Sequence, residues 1–380
     1  MAVTYPRAGN LGGGGFMVIH LAKGLDTTID YRETAPSAAT PAMFLDATGN
    51  PDPAKSRDSG LAVGVPGTVA GLALAHKKYG SGKLTLAELI APAIQLAQQG
   101  FAVEDDTADS LPKARERLAR WPSSAGIFLN GGEPLHAGDR LLQPDLADTL
   151  QAIADGGPRA FYEGRIAEEI VKSARGAGGI MTADDLKNYR AVERAPVRGT
   201  YRGYDIVAMP PPSSGGVALI EMLNILEGYD LGKLAREQAL HDMIEAMKRA
   251  YADRAVYMGD PDSVKMPIAA LLSKKYAAAL RAGITGKATP AAAIAAGKPA
   301  DTEGKNTTHF SIIDRDGNAV SNTYTLNFSY GLGLVADGTG VLLNNELDDF
   351  TAKPGTANAY DLVGFSANLP GPGKRPLSSM

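Results

Sequence analysis

The sequence predicts an α+β fold, because two β-hairpins lie far apart in the chain and a long helical region separates them. Apolar and polar residues alternate in four segments that are typical of strands: 16–21, 27–32, 308–314 and 319–327. Lys23-Gly24 supplies the first hairpin turn, and Asp316-Gly317-Asn318 supplies the second. Apolar residues recur at helical spacing in the segments 84–99, 145–155, 165–175, 182–188 and 236–257.

The clearest of these helices is the one predicted over residues 236–257. One stripe of it carries Leu240, Met243, Ile244, Met247 and Tyr251. A stripe at this spacing ordinarily faces the protein interior, so we predict that it packs in the core and is not a cofactor site. Upstream, Thr68 is predicted to cap a helix that ends at Gly80.

The segments between the helices and the second hairpin are assigned from composition. Residues 203–209 are typical of a strand that runs into the rigid proline-rich loop 210–216. The stretch 278–300 is alanine-rich and weakly patterned, and we predict an exposed linker there that continues to Lys305. A short buried strand is predicted over 341–344.

Composition excludes several classes of function. The chain has 380 residues, a formal charge of −4 and no basic run, which argues against nucleic acid as a partner. It contains no cysteine, and its five histidines include no His-x-x-x-His pair, so we predict neither thiol chemistry nor a metal site. No apolar stretch approaches the roughly 18 residues needed to span a bilayer, and no targeting segment is recognisable.

The residues around Thr307 suggest a nucleophile. Cleavage of the bond between Asn306 and Thr307, directly after the predicted linker, would give Thr307 a free α-amine beside its hydroxyl. An α-amine with a reference pKa of about 7.7–8.0 can accept the hydroxyl proton near neutral pH. The alternative is ordinary β-propensity, since Thr307 and Thr308 begin a predicted strand. His309 lies two residues along the same strand, so we expect it to pack or form hydrogen bonds and not to act in catalysis.

Two other local patterns have competing interpretations. The glycines at 12–15 could form a phosphate loop, but they lack a following Gly-Lys-Ser/Thr and precede a strand, which favours a close-packed backbone turn. Asp348 and Asp349 could be a glycosidase pair or helix-terminal charges. Neighbouring residues in an extended segment point apart, so we expect only one of them to face a pocket.

Six blocks in order along the chain carry a family resemblance: AGNLGGGGF at 8–16, RETAP at 32–36, PPPSSGG at 210–216, TTH at 307–309, NNELDDF at 344–350 and RPLSSM at 375–380. Together they resemble the γ-glutamyltranspeptidases, or glutathione hydrolases, of the N-terminal nucleophile hydrolase superfamily. The resemblance implies an αββα four-layer sandwich with two stacked, mainly antiparallel sheets. It also implies autocatalytic cleavage before Thr307, giving a large-subunit portion, 1–306, and a small-subunit portion, 307–380, in one intertwined fold.

The same resemblance implies substrates and site residues. Glutathione or another γ-glutamyl compound would acylate Thr307, and water or an acceptor amino acid or peptide would resolve the ester, without a cofactor. A γ-glutamyl group presents a carboxylate and an ammonium, so its site needs both kinds of partner. The implied residues are Arg32, Ser378 and Ser379 for the carboxylate, Asn327, Glu346 and Asp349 for the ammonium, Thr325 beside the nucleophile, and Tyr360 as a lid. The relatives are periplasmic or secreted.

Some questions stay open at this point. A two-residue turn at Asp316-Gly317 would pair Thr308 with Thr325, whereas a bulged turn would pair Thr307 with Thr325. Compared with the family, the chain resembles a fragment truncated at both ends that lacks the downstream Gly-Gly oxyanion donors, and one such donor is worth about 10²–10³ in rate. The alternatives are a glutaryl or cephalosporin-type acylase, against which Glu346 and Asp349 argue, and an unprocessed binding module.

Overall fold

The computed structural model describes residues 1–290, 293–294 and 307–380. Its α-helices are α1 Pro53–Arg57, α2 Thr68–Tyr79, α3 Leu86–Gln99, α4 Asp105–Ala119, α5 Pro122–Phe128, α6 Pro144–Gly156, α7 Arg159–Tyr162, α8 Arg165–Gly176, α9 Ala183–Asn188, α10 Gly215–Leu226, α11 Arg236–Tyr257, α12 Ile268–Leu271 and α13 Lys274–Ala282. Its strands are β1 Gly14–Leu21, β2 Leu25–Asp30, β3 Phe101–Ala102, β4 Leu129–Asn130, β5 Glu133–Pro134, β6 Arg140–Leu141, β7 Val192–Arg194, β8 Val197–Tyr201, β9 Tyr204–Ala208, β10 Thr307–Ile313, β11 Ala319–Thr325, β12 Val335–Ala336 and β13 Val341–Leu342. None of the helices in this part of the chain is both long and apolar enough to cross a membrane.

Both predicted hairpins belong to one five-stranded antiparallel sheet with the order β10-β11-β1-β2-β7. They join through the pairing of β1 with β11, in which Gly14 lies opposite Thr325 and Phe16 opposite Thr323. The remaining strands form two-stranded antiparallel ribbons. The sheet therefore brings residues from the beginning and the end of the chain side by side.

Glycines just before β1 and at its start allow that close approach. A Cβ atom on Gly13 would lie 2.1 Å from the carbonyl oxygen of Thr325, and one on Gly15 would lie 2.3 Å from that of Thr323. Neither position can hold a side chain without displacing β11. The predicted close packing at 12–15 is therefore confirmed, but the predicted turn is not, because Gly14 and Gly15 belong to β1 and Gly12 forms a β-bridge with Leu343.

The turn between β10 and β11 fixes the register of that hairpin. Asp314 and Asn318 close a three-residue loop, in which the amide of Asp314 donates to the carbonyl of Asn318 at 2.9 Å. Gly317 adopts a left-handed conformation with φ of 86°, as a type I turn with a glycine bulge requires. Thr307 consequently pairs with Thr325, and Thr308 pairs with Tyr324. The bulged alternative is the correct one.

α2 packs against the five-stranded sheet through Leu74 and Tyr79, and further helices form a separate apolar core. Phe161 of α7 and Ile170 of α8 are fully buried in one cluster with Leu343, which follows β13. α3 begins with a capping box in which Thr85 and Glu88 bond reciprocally to backbone amides. The five helices predicted from apolar spacing are all present, but α4 and α5 lack such a clear pattern and were not predicted.

The predicted cap of α2 is wrong. Thr68 is the first helical residue, Gly67 precedes it, and no side chain caps this helix. The hydroxyl of Thr68 instead donates to Oδ1 of Asn10 at 2.8 Å. A tertiary hydrogen bond to the loop before β1 has therefore taken the place of the local one.

The prediction that the apolar stripe of α11 packs in the core is also wrong. Four of its members have exposed fractions between 42% and 51%: Leu240, Met243, Ile244 and Met247. The buried face carries Ala246 and Ala250, together with Glu245 and Arg249, which form an ion pair of 2.6 Å. Alanines let α11 approach its neighbours closely, and pairing makes the two charges compatible with burial.

The linker predicted before Thr307 is described only in part. Its first residues are helical, because α13 continues to Ala282. Residues 291–292 and 295–306 lie outside the described residues, and Asn306 is among them. The structure therefore neither supports nor opposes the predicted cleavage before Thr307.

Candidate active site

The candidate nucleophile lies at the start of the edge strand β10. Thr307 is exposed, whereas its cross-strand partner Thr325 is buried, with 2% of its surface accessible. Side chains of directly paired residues project from the same face of a sheet, so the two threonines are neighbours. Asn10 donates from Nδ2 to the backbone carbonyl of Thr325 at 2.9 Å and so fixes this end of β11.

Asn327 connects β11 with the acidic segment. Its φ of 75° is left-handed, a conformation that asparagine tolerates better than most residues. Its amide donates to Oγ1 of Thr325 at 3.0 Å, and its Nδ2 donates to the carbonyl of Asn345 at 2.9 Å. Asn345 directly precedes the short 3₁₀ helix Glu346–Asp349. A continuous chain of hydrogen bonds therefore runs from Thr325 to the start of that helix.

The acidic segment is helical, not extended as the sequence analysis assumed. Side chains three residues apart eclipse one another in a 3₁₀ helix, so Glu346 and Asp349 share a face. Both form ion pairs with Arg32. Asp348 points elsewhere and accepts from the hydroxyl of Ser56 at 2.6 Å. Of the two adjacent aspartates only Asp349 therefore faces Arg32, as expected. A 3₁₀ helix separates their side chains, whereas an extended segment was expected.

Arg32 is fully buried, with no accessible surface. It follows β2 by two residues, and its Nη1 and Nη2 atoms contact Glu346 and Asp349 respectively. Burial alone lowers the pKa of Arg32, but the negative charges of Glu346 and Asp349 outweigh burial and raise it. Arg32 is therefore permanently charged and is not the surface ion pair that an isolated arginine after a strand usually forms.

The carboxylates around Arg32 outnumber its single positive charge. Glu33 lies 3.8 Å from Nη1 of Arg32, and neither of its carboxylate oxygens has a hydrogen-bond partner among the described residues. Burial, reinforced by the negative charge of Glu346, raises the pKa of Glu33 well above its ordinary value. Burial likewise raises the pKa of Glu346 to about 7, even though Arg32 opposes the shift. These raised pKa values keep the cluster close to neutral near pH 7, and a cationic ligand group would favour ionisation of its carboxyl groups.

The segment that carries the serine pair contacts Arg32 through Pro376. Ser378 is buried and its amide donates to the carbonyl of Pro212 at 2.8 Å, whereas Ser379 is exposed. Arg32 reaches this segment through Nε, which donates to the carbonyl of Pro376 at 3.1 Å. Within the part of the chain that the structure describes, we find no direct hydrogen bond between Arg32 and either serine hydroxyl.

Tyr360 lies over the junction of these elements. Its hydroxyl donates to the carbonyl of Asn327 at 2.8 Å, and its ring packs edge-on against Phe328 with centroids 5.9 Å apart. In the same loop, Nδ2 of Asn358 donates to Oδ1 of Asp349 at 3.2 Å. The loop that carries Tyr360 is therefore attached to two of the predicted ammonium ligands.

His309 forms hydrogen bonds, as expected. Its Nδ1 lies 2.6 Å from Oγ1 of Thr323 and its Nε2 lies 3.0 Å from Oγ of Ser311.

No group of three or more potential ligand side chains in the described residues could hold a metal ion, and the absence of a metal stays a prediction.

Several residues that organise this region were not predicted. Asn10 and Asn345 hold the backbone around Thr325 and Asn327, and both lie inside the family blocks noted above. Arg254 of α11 donates from Nε to Oγ of Ser214 at 2.9 Å. At helical spacing Arg254 follows Tyr251 by three residues and Met247 by seven, so it extends the apolar stripe, and the apolar periodicity provides no signal for it.

Comparisons with known proteins agree on one family. The profile of the family described as Gamma-glutamyltranspeptidase matches residues 1–380. The chain is 52% identical over 384 residues to the glutathione hydrolase proenzyme of Escherichia coli (strain K12), and 39% identical over 390 residues to the acylase ACY 1 proenzyme of Pseudomonas sp. (strain V22). These alignments cover 100% of this chain but 66% and 67% of the two relatives.

Solved structures give the same result. The γ-glutamyltranspeptidase of Helicobacter pylori matches with a TM-score of 0.75 and 47% identity, covering 80% of this chain and 88% of that chain. The cephalosporin acylase of Bacillus halodurans matches with a TM-score of 0.81 and 28% identity, covering 100% of this chain and 67% of that chain. These matches confirm the α+β N-terminal nucleophile hydrolase fold.

Proposed function

The chain belongs to the γ-glutamyltranspeptidase family, and from this membership we propose that it is the part of a γ-glutamyl transferase and hydrolase that carries the nucleophile Thr307. The chain spans about 66% of the length of the E. coli relative, so the activity proposed is that of the whole protein. The substrates are glutathione or other γ-glutamyl compounds, and the acceptors are water, amino acids or peptides. No cofactor takes part.

One observation carries the proposal. Thr307 pairs with Thr325, and Asn327 bonds both to the hydroxyl of Thr325 and to the carbonyl of Asn345, which precedes the helix whose Asp349 pairs with Arg32. A γ-glutamyl group has its charged α-carbon substituents at one end and its reactive carbonyl at the other. A nucleophile beside a site that offers both a buried cation and buried carboxylates matches that distribution of charge.

The first step proposed is self-cleavage. The hydroxyl of Thr307 attacks the carbonyl carbon of Asn306, the carbon–nitrogen bond breaks, and an ester joins the two residues. The nitrogen of Thr307 gains a proton and becomes the α-amine. Water then hydrolyses the ester and leaves portions 1–306 and 307–380 as two chains in one heterodimeric fold.

The second step uses the new chain end. The α-amine of Thr307 accepts the proton of its own hydroxyl while the oxygen attacks the γ-carbonyl of the substrate. The leaving amine takes that proton, and a γ-glutamyl ester remains on Thr307. Water or an acceptor amine attacks the ester and restores the free hydroxyl. Thr325 places its hydroxyl beside the reacting oxygen throughout.

The binding roles follow from charge. Arg32, with Ser378 and Ser379, is proposed to bind the α-carboxylate, and Asn327, Glu346 and Asp349 are proposed to bind the α-ammonium. Arg32 and Asp349 form an ion pair with each other, so a zwitterion that bound to both would replace one ion pair by two. Tyr360 is proposed to close over the bound group. A periplasmic or secreted location is inferred from the resemblance alone.

An acylase is the second candidate, because relatives named as an acylase and a cephalosporin acylase match this chain. Glutaryl side chains have no α-ammonium, so they would leave Glu346 and Asp349 without a cationic ligand group. The pocket charge therefore favours the γ-glutamyl substrate.

The test compares two chromogenic substrates with the complete protein. We expect hydrolysis of γ-glutamyl-p-nitroanilide and little hydrolysis of glutaryl-p-nitroanilide, with Thr307→Ala inactive on both. Ser311→Ala, on the same strand but away from the predicted cut, serves as the control and should retain activity. Preference for the glutaryl substrate would support the acylase, and L-glutamate binding without any turnover would support a binding module.

A further inference from the structure

We propose that Arg254 is a positioning residue for the α-carboxylate of the substrate and acts through Ser214 on the segment that carries Ser378 and Ser379. The inference rests on the proposed function, because it concerns the same glutamyl subsite. It adds a second buried cation behind the serine pair, contributed by a helix that none of the family blocks includes.

The first argument comes from charge balance. Four arginines are buried in the described part of the chain: Arg32, Arg249, Arg254 and Arg375. Three of them have a carboxylate oxygen within 4.0 Å, on Asp349, Glu245 and Asp30 respectively. Arg254 is the one of these four arginines that has no carboxylate oxygen within 4.0 Å among the described residues, although only 4% of its surface is accessible. Burying an unpaired cation is costly, so Arg254 favours an anionic group bound close to it.

The second argument comes from the hydrogen bonds that Arg254 makes. Its Nε donates to Oγ of Ser214 at 2.9 Å, and that hydroxyl donates to the carbonyl of Ser378 at 2.6 Å. The amide of Ser214 donates to the same carbonyl at 2.9 Å. A serine hydroxyl has one proton, so the bond to Ser378 fixes its direction and leaves a lone pair for Arg254. Arg254 thereby orients the donor that holds Ser378.

The third argument places this arrangement next to the site. Ser213 and Ser378 form a parallel β-bridge, and Ser214 precedes the first turn of α10. Burial lowers the pKa of Arg254, while the negative charge of Asp349 raises it and the positive charge of Arg32 lowers it further. The charge of Arg254 therefore interacts with those of Asp349 and Arg32. A carboxylate bound at Ser378 and Ser379 would be attracted by two arginines, and its binding would reduce their mutual repulsion.

The test measures selectivity for the carboxylate by calorimetry. L-Glutamate and L-isoglutamine, in which a neutral amide replaces the α-carboxylate, are titrated into the complete processed protein. Wild type is expected to prefer L-glutamate. Arg254→Gln, which keeps a donor for Ser214 but has no charge, should reduce that preference by about tenfold or more, and Arg254→Lys should reduce it less. Ser214→Ala should reduce it by roughly threefold, because the carbonyl of Ser378 keeps one donor.

Arg249→Lys is the matched control. Arg249 is a buried arginine of the same helix that bonds to Glu245, so this change should leave the preference unaltered. An unchanged preference in both Arg254→Gln and Ser214→Ala overturns the inference, and if Arg254→Gln does not fold, the result for Ser214→Ala decides. Selectivity that depends on Arg254 in a protein unable to hydrolyse γ-glutamyl-p-nitroanilide would contradict the proposed function but support this inference.

Discussion

The two halves of the candidate site are held together in different ways. The pair Thr307 and Thr325 is set by a backbone register, which depends on a turn only a few residues away. The ion pairs of Arg32 with Glu346 and Asp349 join residues more than 300 positions apart in the sequence. The nucleophile side therefore depends on local geometry, and the binding side depends on long-range electrostatics. Substitutions on the nucleophile side should therefore lower the catalytic rate, whereas substitutions on the binding side should lower the stability of the fold.

The largest effect is expected on the nucleophile side, where chemistry depends on one oxygen. Thr307→Ala should lower the hydrolysis of γ-glutamyl-p-nitroanilide by about 10⁴-fold or more and should prevent cleavage before residue 307. Thr307→Ser keeps a hydroxyl and should retain measurable activity. The free energy of unfolding should change little, because Thr307 is exposed. Rates from continuous assays and bands on a denaturing gel test this, and an active, cleaved alanine variant would contradict it.

Substitutions on the binding side should lower the free energy of unfolding. Among the described residues Arg32 supplies the positive charge that contacts Glu346 and Asp349, so Arg32→Gln should lower the free energy of unfolding by about 3–5 kcal/mol. Burial raises the pKa of Glu346 to about 7 in the folded protein, so its unpaired carboxylate would be protonated at pH 5 and charged at pH 8. Urea titrations at pH 5 and pH 8 should therefore show the larger loss at pH 8.

Arg198→Gln is the control for that measurement. Arg198 pairs with Asp26 at 2.7 Å, but its side chain is 57% exposed, and exposed pairs contribute little to stability. Equal losses for the two variants, or a larger loss at pH 5 for Arg32→Gln, would contradict the electrostatic account.

The pKa of Glu346 predicts a smaller, pH-dependent effect. Its folded-state pKa of about 7 is above the ordinary value of 4.5, so the folded protein binds this proton more tightly than the unfolded chain. Stability should consequently be lost as pH rises from about 4.5 to about 7, by an amount on the order of 3 kcal/mol. Glu346→Gln should flatten this part of the stability profile in urea titrations, whereas Glu116→Gln, at an exposed position, should not. A steeper profile in Glu346→Gln would contradict the assignment.

The smallest effect is expected at the turn that sets the register. Gly317 has a φ of 86°, and a Cβ atom there would meet only the side chain of Ala22 at 3.6 Å. Gly317→Ala should therefore cost about 1–2 kcal/mol through backbone strain alone and should slow cleavage before Thr307. Gly286→Ala is the control, because that glycine has an ordinary φ and open space around it. Urea titration and the cleaved fraction at a fixed time test this, and equal behaviour of the two variants would show that the turn does not set the register.

Features that depend on local geometry could be predicted from the sequence, whereas features that depend on long-range contacts could not. The limits of α11 were predicted to the residue, and both hairpins were found, because periodicity and turn residues are local signals. The burial of Arg32 and the pKa of Glu346 were not predictable, because they depend on three segments that meet only after folding. The face that α11 buries was predicted wrongly, since tertiary pairing allowed Glu245 and Arg249 to replace the apolar stripe inside.

The family blocks contributed what local patterns could not. The resemblance that they carry implied Asn327, Ser378 and Tyr360 as candidates. In the structure the amide of Asn327 donates to Oγ1 of Thr325, and the hydroxyl of Tyr360 donates to the carbonyl of Asn327. Ser378 forms backbone hydrogen bonds with Pro212 and Ser214. Their functional roles stay predictions. The resemblance implied no role for Arg254, and its hydrogen bond to Ser214 is visible only in the structure.

The central claim is that Thr307 becomes a chain end and carries the glutamyl group on its own oxygen. The most direct measurement is mass spectrometry of the complete protein, quenched during turnover of a γ-glutamyl substrate and then digested. The account predicts a peptide that begins Thr-Thr-His-Phe-Ser and gains the mass of one glutamyl group on its first residue. Turnover with residues 306 and 307 still joined, or a glutamyl group on any other side chain, would contradict it.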